Sequence, residues 1–207
     1  MFAERLHADL QILRPGYVPT GGGSMALTVT PVGGTLRPLT MPERRGVLRY
    51  WGLSLASHLQ QRQVSQRMAG ACQASLTRRG LHADIQLLDD DTAPQAGAAL
   101  TLFAEGPDTL LSADQAGARH RSAEAIGRFV ARTLLEDLDS GATVDRHLAD
   151  QLIIFAALAA GTSTVRLPQV TDHVQTNCWL VETICGARTH LEGHQLRVEG
   201  IGYAVSH

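Results

Sequence analysis

A histidine near the C-terminal end of the chain, His173, lies where a β-like run meets a helical pattern, in the segment LPQVTDHVQTNCW at residues 167–179. Thr171 or Asp172 can cap the helix, and Asp172 and Gln175 have the spacing of a capping box. A helix N-terminus attracts phosphate and favours neutral imidazole, which is the nucleophilic form. Two interpretations stay open: a first-turn histidine without a special role, which is the commoner case, or a nucleophile that meets a phosphate.

A second polar cluster lies at the start of a predicted helix over residues 146–160. His147 is three residues before Asp150 and four before Gln151, so the three side chains share one face at the N-terminal end. Asp150 could simply stabilise the positive end of the helix. The alternative is that the cluster contacts a nucleotide at the start of a helix that is apolar nearly all round from Leu152 onward and is therefore expected to be buried.

Three other features predict chemistry less well. His190 and His194 are four residues apart, a metal-ligand spacing on a helix, but here they flank a probable hairpin turn, so we predict no metal site. The aspartates at 89–91 are typical of a solvated loop. The glycines at 21–23 could surround a phosphate, but such loops usually lead into a helix and none follows, which favours a tight turn.

The composition restricts the chemistry. All 18 basic residues are arginine, which excludes a P-loop, Schiff-base catalysis and a ligase that attacks through a lysine amine. A covalent mechanism would need His, Cys, Ser, Thr or a carboxylate. The net charge is −2, so nucleic acid would have to bind a local patch of arginines. Three cysteines without metal-ligand spacing, no signal peptide and no membrane-length apolar run predict a cytoplasmic protein with reduced thiols and no membrane partner.

The hydrophobic pattern predicts an α+β fold with helices on one face of a sheet. A small domain of β-α-β-β-α order, residues 45–138, is expected as an insertion into a catalytic domain formed by residues 1–44 and 139–207. The predicted strands are 8–14, 25–32, 46–56, 82–88, 97–105, 162–168, 187–193 and 194–203. The predicted helices are 57–80, 122–138, 146–160 and one from near His173 to about Cys185. Ser57 is the predicted N-cap of the first helix, and Gly80 its predicted stop.

Two motifs and the insert between them resemble the RNA 3'-terminal phosphate cyclase family over essentially the whole chain. The motifs are RPGYVPTGGG at residues 14–23 and HLADQLIIFAALAAGTSTVRLPQVTDHVQTN at residues 147–177. The resemblance implies a C-terminal α/β repeat of the cyclase fold. It also implies an enzyme that uses ATP and Mg²⁺ or Mn²⁺ to convert an RNA 3'-phosphate into a 2',3'-cyclic phosphate through a histidine–AMP intermediate.

The resemblance assigns roles residue by residue. His173, with Thr176 and Asn177, matches the motif of the adenylylated histidine. The nucleotide-side segment corresponds to Leu148, Ala149, Asp150 and Gln151, and His147 stands where the family usually has a tyrosine. An imidazole can still stack on a base.

Family members are longer, and their preceding repeats supply a metal ligand and RNA contacts. We therefore expect this chain to be a C-terminal portion that is weakly active or inactive alone, with metal ligands outside it and possibly a missing N-terminal half as partner. The alternative is a non-catalytic cyclase-like scaffold protein in rRNA processing, although such relatives lose the histidine that this chain retains. A third possibility is a small α+β module that binds RNA or protein without catalysis.

Overall fold

A computed structural model of the chain describes residues 8–31 and 33–204. The α+β class is confirmed within that part, and none of its helices is long and apolar enough to cross a membrane. The strands are β1 Ala8–Arg14, β2 Ser24–Val29, β3 Thr40–Met41, β4 Arg49–Ser57, β5 Ala83–Asp90, β6 Gly97–Glu105, β7 Leu110–Ala116, β8 Ala160–Arg166, β9 Arg188–Glu192 and β10 Gln195–Ile201. The helices are α1 Val64–Thr77, α2 Ala123–Asp139, α3 Leu148–Leu158 and α4 Asp172–Cys185, with a short 3-10 helix at Gln60–Arg62.

The middle of the chain forms a four-stranded sheet in the order β5-β4-β6-β7, in which only β4 and β5 are parallel. Alternate residues of β6, Ala98, Leu100, Leu102 and Ala104, are buried, as expected for a sheet covered on one face. These residues belong to one buried cluster with the apolar residues of α1 and α2. The structure adds β7 to the predicted order of elements, so the insert has the order β-α-β-β-β-α.

The predicted first helix begins later than expected. It was predicted over 57–80 with Ser57 as N-cap, whereas α1 begins at Val64 and is preceded by the 3-10 helix. Ser57 instead ends β4, and its hydroxyl donates to the carboxylate of Asp90 at 2.8 Å, so the cap prediction was wrong because the serine has a partner in the sheet. Gly80 does adopt φ +69 just after α1, the left-handed conformation typical of a helix stop.

The C-terminal part forms a second sheet, in the order β3-β8-β10-β9, that packs against α3 and α4. Leu152 and Ile153 of α3, Val165 of β8 and Leu196 and Val198 of β10 belong to its buried cluster. The expectation that α3 is buried nearly all round was wrong, since Ile154 is 43% exposed and Phe155 36% exposed. The described sheet covers only one side of this helix.

The two buried clusters are separate, one built mainly from residues 56–142 and the other from residues before and after them. The domain boundaries at 45 and 138 stay a prediction, and residues 1–7 and 205–207 of the outer domain lie outside the described residues, as does Val32 of the predicted strand 25–32. The β1–β2 hairpin pairs antiparallel as predicted.

The loop of this hairpin is the predicted tight turn. Gly21 and Gly22 have φ of +68 and +72, and a Cβ atom on Gly16 would collide with the backbone of Gly23. Gln95, in the loop before β6, donates from Nε2 to the carbonyl oxygen of Tyr17 at 2.7 Å. The glycines therefore let the loop fold closely on itself and dock on the insert.

Candidate active site

The helix that carries His173 begins at the predicted position. Thr171 is its N-cap, and the Thr171 hydroxyl oxygen accepts a hydrogen bond from the backbone N–H of Val174 at 3.2 Å. Asp172 is the first helical residue, which is a favourable place for an acid. His173 follows with an exposed side chain, so it stands in the first turn of α4 at the positive end of the helix.

The start of α3 is held by a residue that sequence reasoning missed. The Asp145 carboxylate accepts hydrogen bonds from the backbone N–H groups of His147, at 3.1 Å, and Leu148, at 2.8 Å. Its other oxygen accepts from the Ser112 backbone N–H and hydroxyl, each at 3.0 Å. An aspartate three residues before the first helical residue is the signal that could have found it. Asp150 lies in the first turn but is not the cap.

The structure brings the two predicted clusters together through Asn177. The Asn177 side-chain amide donates to the backbone carbonyl oxygen of Asp150 at 3.4 Å. Asp150 is in the first turn of α3 and Asn177 in the second turn of α4, so this long hydrogen bond joins the N-terminal ends of the two helices. His173 is four residues before Asn177, which places both on the same face of α4.

A groove of about 340 Å³ runs between these helices. Asp150, Gln151 and Asn177 supply its polar groups. Its apolar walls come from Ile154, Leu180, Val181, Ile184 and Cys185. An apolar groove with a few polar groups at one end is typical of a site for a small organic ligand.

The predicted nucleotide-side residues differ in their exposure. His147 and Gln151 are exposed and Asp150 is half-buried, so their side chains can reach a ligand. Ala149 is only 2% exposed and belongs to the buried cluster, and Leu148 packs against that cluster. Any contact from Ala149 to a ligand would have to come from its backbone. Whether these five residues bind a nucleotide stays a prediction.

Two of the three cysteines, Cys72 and Cys178, are poor nucleophiles. Burial raises the pKa of Cys178, next to Asn177 in α4, and burial raises the pKa of Cys72 in the insert to about 12. With a raised pKa, both thiols stay protonated at neutral pH. They react poorly, because the thiolate is the reactive form. Of Cys178 and His173, which both lie in α4, the exposed imidazole of His173 is therefore the better candidate nucleophile.

The structure offers no metal centre within residues 8–31 and 33–204, where no group of three or more His, Cys, Asp or Glu side chains could hold an ion. His190 lies in β9, and its Nε2 is 3.8 Å from Glu199 Oε1 on the paired strand β10. His194 lies in the turn between the two strands. The two histidines are therefore on a hairpin, as the sequence indicated, and not on a helix face.

The sequence match decides the family. A family model described as RNA 3'-terminal phosphate cyclase matches residues 2–191. The chain belongs to the RNA 3'-terminal phosphate cyclase family. The match includes both helices of the candidate site, so the resemblance drawn from the two motifs is confirmed.

Several relatives that this chain resembles are named RNA 3'-terminal phosphate cyclase. The one from Hyperthermus butylicus is 35% identical over 96% of this chain and 59% of its own length. The one from Methanothermobacter thermautotrophicus is 36% identical over 91% of this chain and 54% of its own length. The chain thus spans between half and three fifths of the length of these cyclases.

Proposed function

We propose that this chain carries the nucleophile of an ATP-dependent RNA 3'-terminal phosphate cyclase, which converts an RNA 3'-phosphate into a 2',3'-cyclic phosphate. The observation that carries the proposal is the hydrogen bond between Asn177 and Asp150. It joins the start of α3, with its nucleotide-side residues, to the start of α4, with His173. Membership of the cyclase family supports the same reaction.

The proposed reaction has three substitutions at phosphorus. First, an imidazole nitrogen of His173 attacks the α-phosphorus of ATP; an N–P bond forms and pyrophosphate leaves. Second, an oxygen of the RNA 3'-phosphate attacks the same phosphorus, the N–P bond breaks, and histidine is restored. Third, the neighbouring 2'-hydroxyl attacks the terminal RNA phosphorus, loses its proton and expels AMP. The sum converts ATP into AMP and pyrophosphate for each cyclic end formed.

The side chains in and beside the groove between α3 and α4 are chemically suited to a nucleotide. The groove between α3 and α4 has the volume and the apolar walls that suit a base. His147, Asp150 and Gln151 would contact the base, the imidazole by stacking and the others by hydrogen bonds. The backbone N–H groups at the start of α4 would face the phosphates, because a helix N-terminus favours negative charge.

A divalent cation, Mg²⁺ or Mn²⁺, belongs to the proposal, but the described residues do not form a site for it. We therefore assign no step to the ion. We expect its ligands, and further RNA contacts, in the part of the relatives' length that this chain does not span. That part, as a partner N-terminal half, would complete the site. The unpaired cysteines support a cytoplasmic location.

The direct test is transfer of AMP to the protein. The chain is incubated with ATP labelled on the α-phosphate and with Mg²⁺ or Mn²⁺, alone and with the uncovered N-terminal portion of the Hyperthermus butylicus cyclase added as a separate chain. We expect an acid-labile, alkali-stable adduct that is strongest when that portion is present. His173→Ala should abolish it, and the exposed neighbour Gln175→Ala should keep it. Labelling that survives His173→Ala would show that His173 is not the nucleophile.

The second candidate is a non-catalytic cyclase-like scaffold protein in rRNA processing, although this chain retains His173. Absence of the adduct in both incubations, together with binding of pre-ribosomal particles, would support the scaffold. Equal binding of 3'-phosphorylated and 3'-hydroxyl RNA would favour a simple RNA-binding module.

A further inference from the structure

The insert contains a pocket of about 620 Å³ at one end of its helical layer, apart from the groove between α3 and α4. It is bounded by the β1–β2 loop, the start of α1 and the connection from β7 to α2. We call it the arginine pocket, because Arg62, Arg67, Arg119 and Arg121 line it. His120 lies among them, and the described lining includes no aspartate or glutamate.

The charges of the pocket are only partly neutralised. Arg67 forms a two-pronged ion pair with Glu124, at 2.7 and 3.0 Å. The hydrogen bond from Arg67 lowers the pKa of Glu124 to about 2, so this carboxylate is ionised and cancels one charge at neutral pH. Arg121 donates one N–H to the carbonyl oxygen of Ala116 and keeps its charge. Within the described residues, the guanidinium groups of Arg62 and Arg119 have neither an ion-pair nor a hydrogen-bond partner.

The walls of the pocket are firmly held. The ring of Tyr17 packs directly over the backbone of Gly97, where any Cβ atom would collide with it. The Tyr17 hydroxyl is 3.0 Å from Ser57 Oγ. On the opposite side, Ser122 caps the 17-residue helix α2, whose first turn also lines the pocket and adds the positive end of a helix.

The connection that carries two of the arginines is strained. His120 has φ +63, a left-handed conformation that non-glycine residues rarely adopt. Such residues persist where the surroundings over-determine them, and they cluster at ligand sites. Here the strained residue separates Arg119 from Arg121, and both flanking side chains line the same pocket.

We propose that the arginine pocket binds phosphodiester groups of single-stranded RNA. A guanidinium fork matches two phosphate oxygens, and the pocket offers three cations that no carboxylate cancels. The chain as a whole carries a net charge of −2, so RNA must be held by a local patch such as this one. The inference goes beyond the proposed reaction, since it involves neither His173 nor ATP.

The test measures binding of a short fluorescent single-stranded RNA with a 3'-hydroxyl end to the whole 207-residue chain, by anisotropy, between about 50 and 200 mM salt. The double variant Arg62→Gln/Arg119→Gln should raise Kd roughly tenfold. It should also reduce the slope of log Kd against log salt concentration by about 1.4, or about 0.7 for each lost phosphate contact. The matched control is Arg78→Gln/Arg128→Gln, which removes the same charge from a second arginine-lined groove between α1 and α2. The control should change Kd less than about twofold.

Each result decides the proposal. An equal loss in both double variants would show a diffuse electrostatic attraction and overturn the site, as would an absence of RNA binding by the unaltered chain. A calorimetric titration with inorganic pyrophosphate adds a second arm. Tight pyrophosphate binding that the Arg62/Arg119 variant loses, without RNA binding, would assign the pocket to small polyphosphates and overturn the RNA assignment. Because the probe has no 3'-phosphate and ATP is absent, failure of labelling at His173 would leave this result unaffected.

Discussion

The carboxylate of Asp145 holds Ser112 by two hydrogen bonds, from the serine backbone N–H and from its hydroxyl, each at 3.0 Å. Ser112 belongs to β7 of the insert, while the other oxygen of Asp145 caps α3, which packs against the second sheet. Asp145 is only 4% exposed. One buried carboxylate therefore ties the sheet of the insert to the start of α3, the helix that carries the predicted nucleotide-side residues.

Asp145→Ala should lower the free energy of unfolding by about 2–4 kcal/mol, because it removes the cap and leaves the donors of the half-buried residues Ser112 and Leu148 unpaired. Urea denaturation followed by circular dichroism measures the change. Asp150→Ala is the matched control, since the Asp150 carboxylate accepts no hydrogen bond within the described residues. It should cost under about 1 kcal/mol, the usual value for an acid near a helix N-terminus. Equal losses in the two variants would contradict the role given to Asp145.

Asn177→Asp should strongly slow the proposed adenylylation of His173, while it lowers the free energy of unfolding only slightly. A carboxylate cannot donate to the carbonyl oxygen of Asp150, so the starts of α3 and α4 would lose their direct link and repel each other. Since a displacement of about 1 Å can reduce a rate about a hundredfold, we expect labelling to slow by roughly ten- to a hundredfold. The 3.4 Å bond is long, so the stability loss should stay below about 1 kcal/mol.

Single-turnover labelling and urea denaturation measure the two effects of Asn177→Asp separately. The control is Gln175→Ala, an exposed side chain in the same turn of α4. Unchanged labelling in Asn177→Asp would remove the proposed role of the link between the helices. A large loss in the free energy of unfolding of Asn177→Asp would indicate that Asn177 has only a structural role.

The helices and stops that depend on local sequence patterns were predictable, and the features that depend on tertiary contacts were not. The helix from near His173 to Cys185 and the stop at Gly80 follow from local capping and glycine conformation, and the structure has both. Ser57 looked like an N-cap, but a partner 33 residues later, Asp90, holds it in the sheet. The exposure of Ile154 could not be predicted from the sequence either, because the spacing of apolar residues does not show how many sides of a helix are covered by other elements.

The site divides in the same way. His173, Asp150 and Asn177 were named from motifs, because the cyclase resemblance aligns them in sequence. Asp145 accepts hydrogen bonds from Ser112, 33 residues earlier in β7, and the arginine pocket brings the connection after β7 against the β1–β2 loop and the start of α1. Sequence spacing alone gives no signal for either contact.

The pKa of Asp90 should report on the loop that follows β5. Hydrogen bonds, above all from the Thr92 hydroxyl at 2.6 Å and also from Ser57, lower the Asp90 pKa to about 2. The folded pKa lies below the ordinary 3.8, so Asp90 contributes stability above about pH 3.8 and loses that contribution as the pH falls toward 2. Thr92→Val should move the Asp90 pKa up toward its ordinary value and weaken this acid dependence.

Carboxyl NMR titration of the folded chain measures the Asp90 pKa in each variant. Thr28→Val, on the exposed strand β2, serves as the control and should leave it unchanged. An Asp90 pKa that stays near 2 in Thr92→Val would mean that Ser57 and the backbone N–H groups suffice to hold the charge.

Tyr17 should anchor the β1–β2 hairpin to the insert. Ser57 donates its only hydroxyl proton to Asp90, so the Tyr17 hydroxyl must donate to Ser57 Oγ. Burial raises the pKa of Tyr17, so the tyrosine keeps that proton at neutral pH. Tyr17→Phe should lower the free energy of unfolding by about 1 kcal/mol through the lost hydrogen bond. Tyr17→Ala should cost about 2 kcal/mol, less than a fully buried aromatic residue, because the ring over Gly97 is only half-buried.

Limited proteolysis with thermolysin distinguishes anchoring of the hairpin from a general loss of stability. Within the described chain, the hydrogen bonds that join the hairpin to other elements involve Tyr17 and Thr20, while Leu10 and Ile12 of β1 are exposed. Cleavage in β1 should therefore accelerate strongly in Tyr17→Ala, even under conditions where the insert stays folded. Val18→Ala is the matched control, because Val18 is 94% exposed and its truncation should leave the cleavage rate unchanged. If cleavage in β1 accelerated only in step with global unfolding, the hairpin would be held by contacts other than Tyr17, because losing a local anchor would open the hairpin first.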